Sequence, residues 1–97
     1  MGLAVPLNHQ AERILAGTVH TIAYKQLLSE LVSARASVGL SQAQLARRIG
    51  KPASYVGKYE LGERRLDVIE LLVILTALEV DHNTFICKLR PNLPAML

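Results

Sequence analysis

Between Ser41 and Arg65 the chain carries six basic residues, Arg47, Arg48, Lys51, Lys58, Arg64 and Arg65, against two acidic ones, Glu60 and Glu63. That local excess of four positive charges is larger than the +3 of the whole chain, so the remainder is about neutral. A concentrated basic segment attracts polyanions, and nucleic acid is the common one; a solvated helix face is the plain alternative. Residues able to do covalent or metal chemistry are scattered. His9, His20 and His82 show no i, i+4 pairing and no acids cluster with them, so each is expected at the surface or at a cap. Cys87 is the single cysteine, which excludes an internal disulfide and a Cys-rich zinc site. It lies in an apolar segment and is expected to be a small buried hydrophobe. There is no Gly-rich phosphate loop and no nucleophile beside a base. No enzyme activity, metal or cofactor is expected.

The elements that hold the basic segment fit in one domain. The chain has 97 residues, 51% hydrophobic and 20% charged, which is the composition of a folded chain. With no Trp, one Phe and three Tyr, the core must be aliphatic. The longest apolar stretch, Leu71 to Leu78, falls far short of the ~18 residues that span a membrane. No basic region followed by an apolar one marks a signal peptide, so a cytoplasmic protein away from membranes is expected. Residues 1–20 read as an amino-terminal extension. Pro6 and Asn8 break early structure there, and Gln10 to Ala16 could form a short helix stopped by Gly17. Residues 21–90 read as the domain and 91–97 as a tail that begins at Pro91.

Helical periodicity runs through the domain and strand alternation is absent, so the fold class is all-α. The first helix is expected from Thr21 to Val38, with Leu28, Leu31, Arg35 and Val38 on one stripe. Arg35 on that stripe needs an acidic partner, because an unpaired buried charge costs several kcal/mol. Ser41 and Gln44 form a capping box, Leu40 and Leu45 a hydrophobic staple, and Gly50 ends this second, short helix. Pro52 suits a helix start, so a third helix follows from Ala53 to Leu61, with Val56, Tyr59 and Glu60 on its inner face and Gly62 as its stop. Gly57 costs this helix ~1 kcal/mol relative to Ala, a cost often borne where something approaches the backbone closely; plain sequence drift on an exposed face is the equal alternative. Asp67 and Glu70 cap a fourth helix reaching Leu78. It shows two apolar stripes, Ile69, Leu72, Val73 and Val80, then Leu71, Leu75 and Leu78, so it is expected to be buried on two sides. Asp81 caps a fifth helix from His82 to Leu89.

Two short helices joined by Gly50-Lys51-Pro52 have the spacing of a helix-turn-helix. Gly39-Leu40-Ser41-Gln42-Ala43-Gln44-Leu45-Ala46, then Ile49-Gly50, then Tyr59-Glu60-Leu61-Gly62-Glu63-Arg64-Arg65, resemble the phage-repressor helix-turn-helix family, the lambda repressor and Cro group also called XRE. The resemblance covers about Ile22 to Ile86 and implies a compact five-helix bundle of the lambda-repressor-like helix-turn-helix type. It also implies that Glu60 is the partner of Arg35, in a structural ion pair.

By the same resemblance the protein is a sequence-specific regulator of transcription that binds double-stranded DNA, in the manner of a repressor. The third helix would enter the major groove, with Ala53, Ser54 and Lys58 at base edges and Tyr55 and Gly57 beside them, Tyr55 being equally able to press on a phosphate. Gln42 would touch a phosphate and brace the first base contact, and Arg47, Lys51, Arg64 and Arg65 would contact phosphates. A homodimer on a palindromic operator is expected, since such proteins read half-sites ~34 Å apart. Leu71, Leu75, Phe85, Ile86 and Leu89 are its expected interface. An antitoxin that binds a toxin protein and autoregulates its operon is the alternative. The chain departs from the family pattern at Pro52, where a hydroxyl cap is usual, at Leu61, where Asn or Ser is frequent, and at Glu79, where Gly commonly ends the fourth helix.

Overall fold

The computed structural model describes the backbone from His9 to Leu97 and side chains from Ile22 onward; the expected break at Pro6 and Asn8 lies outside the described residues. Five α-helices follow one another: α1 His9–Ser37, α2 Gln42–Arg48, α3 Ser54–Glu60, α4 Val68–Ala77 and α5 His82–Leu89. A 3₁₀ turn, Arg90–Asn92, follows α5. No strand occurs among the described residues, and the fold is the all-α helix-turn-helix bundle.

Helix α1 is longer than the sequence suggests. It runs through Gly17 instead of stopping there and restarting at Thr21. A glycine keeps its N–H and so leaves the hydrogen-bond ladder intact; it costs ~1 kcal/mol but does not by itself end a helix.

The caps set the other boundaries. Ser41 Oγ accepts from Gln44 N while Gln44 Oε1 accepts from Ser41 N, and Asp67 and Glu70 repeat the arrangement on α4. Asp81 accepts from the backbone N–H and the hydroxyl of Thr84. Helix α3 has Ala53 at its N-cap position and so no side-chain cap. At the end of α2 the chain reverses through Gly50, whose φ is 73°; Gly50 N donates to Arg47 O and Lys51 N to Ala46 O. This closing geometry needs a left-handed residue, which glycine adopts without strain. The end of α4 has the same pair of bonds, Glu79 N to Thr76 O and Val80 N to Leu75 O, but the left-handed residue is Glu79, at φ 61°.

The core is aliphatic with Tyr59 at its centre. Leu31, Leu45, Ala46, Val56, Tyr59 and Leu75 have no exposed surface, and Leu28, Ile74, Leu78, Phe85 and Leu89 pack around them. Burial pushes the Tyr59 phenol well above its ordinary pKa. The carboxy-terminal elements are tied to α1. Gln26 donates to Lys88 O and accepts from Asn92 Nδ2, and Lys88 Nζ lies 3.6 Å from Glu30.

Several expected placements change. Val38 is exposed although it shares a stripe with Leu31, because α1 ends at Ser37 and the chain turns away. Cys87 is exposed, not buried, since α5 turns Phe85 and Leu89 inward instead. Of the two stripes on α4, the one formed by Leu71, Leu75 and Leu78 is buried, joined by Ile74, while in the other Leu72 and Val80 are half-buried and Ile69 and Val73 exposed. Val68, Ile69 and Val73 face outward. The residues expected at a dimer interface are therefore mostly spent inside one chain: Leu71, Leu75, Phe85 and Leu89 are buried there, and Ile86 alone of the five is exposed.

Candidate nucleic-acid interface

Helices α2 and α3 pack through Leu45, Ala46, Val56 and Tyr59, which leaves one face of α3 outside the core. On it lie Ala53, Ser54 and Lys58, all exposed, with Gly57 half-buried between them. This is the set that carries the expected base contacts, with one exception. Tyr55 is 8% exposed and belongs to the core. It lies four residues before Tyr59 and so shares its helix face; the two rings meet edge to face at 5.8 Å. Two cations lie over its ring, with Lys51 Nζ 5.3 Å and the Arg64 guanidinium 4.7 Å from the centroid.

The cations divide into two groups. Arg64 is committed to the protein. It donates to both carboxylate oxygens of Glu70, at 3.0 and 2.6 Å, to the Tyr55 hydroxyl and to Arg65 O. Glu70 in turn caps Asp67 N, and the hydrogen bonds from Arg64 and that N–H bring its carboxyl down to about 2. Arg64 thus locks the loop between α3 and α4 onto Tyr55, and the protein takes most of its donors, leaving Nε–H and one Nη2–H without a partner among the described residues on a side chain that is 40% exposed. Arg47, Lys51, Lys58 and Arg65 are exposed and meet no carboxylate among the described residues. Arg65 is held in place without being neutralised. Its guanidinium stacks 4.3 Å above the Tyr24 ring, and the Tyr24 hydroxyl accepts from Leu66 N.

Beneath this face Arg35 and Glu60 join α1 to α3 through two hydrogen bonds, Nε to Oε2 at 2.7 Å and a terminal nitrogen to Oε1 at 3.0 Å. Arg35 also donates to Leu40 O, just before α2. The bond to Glu60 raises the guanidinium pKa further above its ordinary value, so the charge is permanent. Gln42 joins the group by donating Nε2–H to Glu60 Oε1 at 2.8 Å. Its side chain lies over Gly57, so the close approach expected at that glycine comes from within the protein.

The sequence offered no sign of three of these relationships. Tyr24 lies in the middle of α1 with no motif around it. Glu70 reads as a cap, and its second role toward Arg64 depends on how the loop folds back. The Gln42–Glu60 bond spans two helices. Among the described residues no three His, Cys, Asp or Glu side chains gather to hold a metal, and no helix is long and apolar enough to cross a membrane.

Comparison with known proteins places this geometry in context. A family model described as helix-turn-helix matches residues 31–85. A solved structure described as an XRE-family like protein from Pseudomonas syringae pv. tomato str. DC3000 is 39% identical, with a TM-score of 0.76. The match covers 82% of this chain and 98% of that one. No curated protein sequence matches the chain.

Proposed function

The chain belongs to the XRE-type helix-turn-helix family of DNA-binding regulators, and from that premise we propose that it is a sequence-specific repressor that binds a palindromic operator as a homodimer. Helix α3 lies in the major groove. Ser54 and Lys58 reach base edges, Lys58 donating to guanine O6 and N7, while Ala53 makes apolar contact. Arg47, Lys51 and Arg65 contact phosphates on either side, which supplies affinity and register without sequence information.

The observation that supports this most is the division of charge. Arg35 and Arg64 are consumed by Glu60 and Glu70, whereas the cations around the open face of α3 meet no acid among the described residues. A solvated surface interleaves acids with bases; a phosphate grip leaves cations unanswered. Arg64, paired as it is, acts by holding the loop that carries Arg65. A buried Tyr55 serves the same end by bracing Lys51 and Arg64.

The dimer follows from the need to read two half-sites. With four of the five expected interface residues inside the core, its contacts draw on exposed residues such as Ile86 and Leu93. Selection of binding sites from random duplex DNA tests function and symmetry together. The expected result is an enriched palindrome with half-sites one helical turn apart. No enrichment would remove the proposal, and an enriched site without symmetry would remove the dimer. Sedimentation gives a second check, with a dimer expected on the selected duplex.

A further inference from the structure

We propose that Gln42, a residue of α2, is itself a base-reading residue, occupying the place of the side chain that Gly57 lacks on α3 and presenting an edge matched to adenine. The proposal rests on the reading that α3 lies in the major groove. It gives Gln42 a different task from the phosphate contact that the resemblance implies.

Three observations carry it. First, the amide lies on the reading face of α3. A Cβ built on Gly57 would come 3.3 Å from Gln42 Oε1, with Cδ at 3.9 Å and Nε2 at 4.0 Å. Gly57 sits between Ser54 and Lys58, so that face has a gap where the next side chain would stand, and the Gln42 amide fills it. Second, the orientation is fixed. Nε2 donates to Glu60 Oε1 at 2.8 Å. The reverse orientation would set Oε1 against a carboxylate that already accepts two bonds from Arg35. Arg35, Glu60 and Gln42 form one chain of hydrogen bonds from α1 across α3 to α2, so the amide is held before any DNA arrives. Third, the amide keeps recognition capacity. Gln42 is exposed, and one Nε2 hydrogen and the Oε1 lone pairs meet no partner among the described residues.

An amide with one donor and one adjacent acceptor left can satisfy one kind of base in the major groove. Adenine offers N7 to the donor and N6–H to the acceptor. Guanine shows two acceptors, thymine an acceptor and a methyl, cytosine a donor alone. A preorganised amide also loses little rotamer freedom on binding. Gly57 is then required by the reader and not by the backbone, since it sits at an ordinary helical position.

The test uses the full chain and a panel of duplexes in which each base pair of the selected half-site is replaced in turn. Wild type should show one A·T position where replacement weakens binding about tenfold or more. Gln42→Met keeps the length and packing of the side chain but neither hydrogen-bonding group. It should lose sensitivity at that position and keep it elsewhere. Gly57→Ala makes the amide give by a few tenths of an ångström and should blunt the same position while Gln42 remains; thermal melts check that both variants are folded. Two results would overturn the proposal: an unchanged panel with both cognate and scrambled affinity reduced, which marks a phosphate contact, or a lost position that is not adenine. If wild type has no sensitive position at all, the reading of α3 falls first and this one with it.

Discussion

Arg35 and Glu60, 25 residues apart, form a two-bond ion pair whose side chains are 17% and 6% exposed. The pair ties α1 to α3, and through Gln42 to α2. Removing one partner leaves the other as an unpaired, largely buried charge. Arg35→Ala should cost about 3 kcal/mol, while replacing both by apolar residues of similar volume, Arg35→Met with Glu60→Leu, should cost much less. A urea-unfolding double-mutant cycle measures this. Additive losses would mean that the pair is not coupled.

Acid should unlock the loop between α3 and α4. In the folded chain the Glu70 carboxyl is lowered from its usual 4.5 to about 2, by Arg64 first and the Asp67 N–H second. A lowered pKa stabilises the fold fully above the unfolded value, and the gain is lost as pH falls through the folded one. Wild type should therefore melt higher than Glu70→Gln at neutral pH, and the gap should close between pH 4.5 and about 2. A gap independent of pH over that range would contradict the pairing.

Glu79 holds a left-handed backbone, φ 61°, in a closing turn that glycine serves elsewhere in the chain. Its Cβ makes that conformation costly by roughly 1–2 kcal/mol. Glycine has more freedom to lose on folding, which takes back part of the gain. Glu79→Gly should thus raise stability by about 1 kcal/mol, seen as a higher melting temperature with no change in DNA affinity. A lower melting temperature would show that the Glu79 side chain contributes more than its backbone costs.

Much of this architecture was legible in the sequence because caps and stops are local. Ser41 with Gln44 and Asp67 with Glu70 announce helix starts from four residues each, and Gly39, Gly50 and Gly62 the stops. The need of Arg35 for an acid was legible too, since a charge on an apolar stripe is a physical contradiction until it is paired. What failed depended on which of two faces the bundle would choose. Both stripes of α4 are equally apolar, and only the packed structure shows that Val68, Ile69 and Val73 are left outside. Tyr55 lies one residue after Ser54, and one residue turns a helix by about 100°, which carries its ring away from the open face and into the core. Arg64 looked like its neighbour Arg65 until the loop brought Glu70 within 2.6 Å of it.

Phosphate contacts should be separable from base contacts by salt. Arg47→Ala and Arg65→Ala each remove a cation from the grip and should weaken selected and scrambled duplex alike. Each should also flatten the log–log salt dependence by about one unit per half-site. Arg64→Ala should act otherwise, lowering the melting temperature as well, because it also strands Glu70. Titrations at several salt concentrations would contradict this division if Arg64→Ala changed the salt slope alone and left stability intact.

Helix α3 reads sequence through Ser54 and Lys58, and the ratio of cognate to scrambled affinity measures that reading. Base contacts discriminate by ~1–3 kcal/mol each, whereas phosphate contacts do not discriminate. Lys58→Ala and Ser54→Ala should each lower that ratio roughly fivefold or more. Lys58→Ala should also lose some affinity for scrambled duplex, since it removes a charge, and Ser54→Ala should not. If both variants leave the ratio and the preferred sequence unchanged, α3 is not the reader and the account is wrong at its centre.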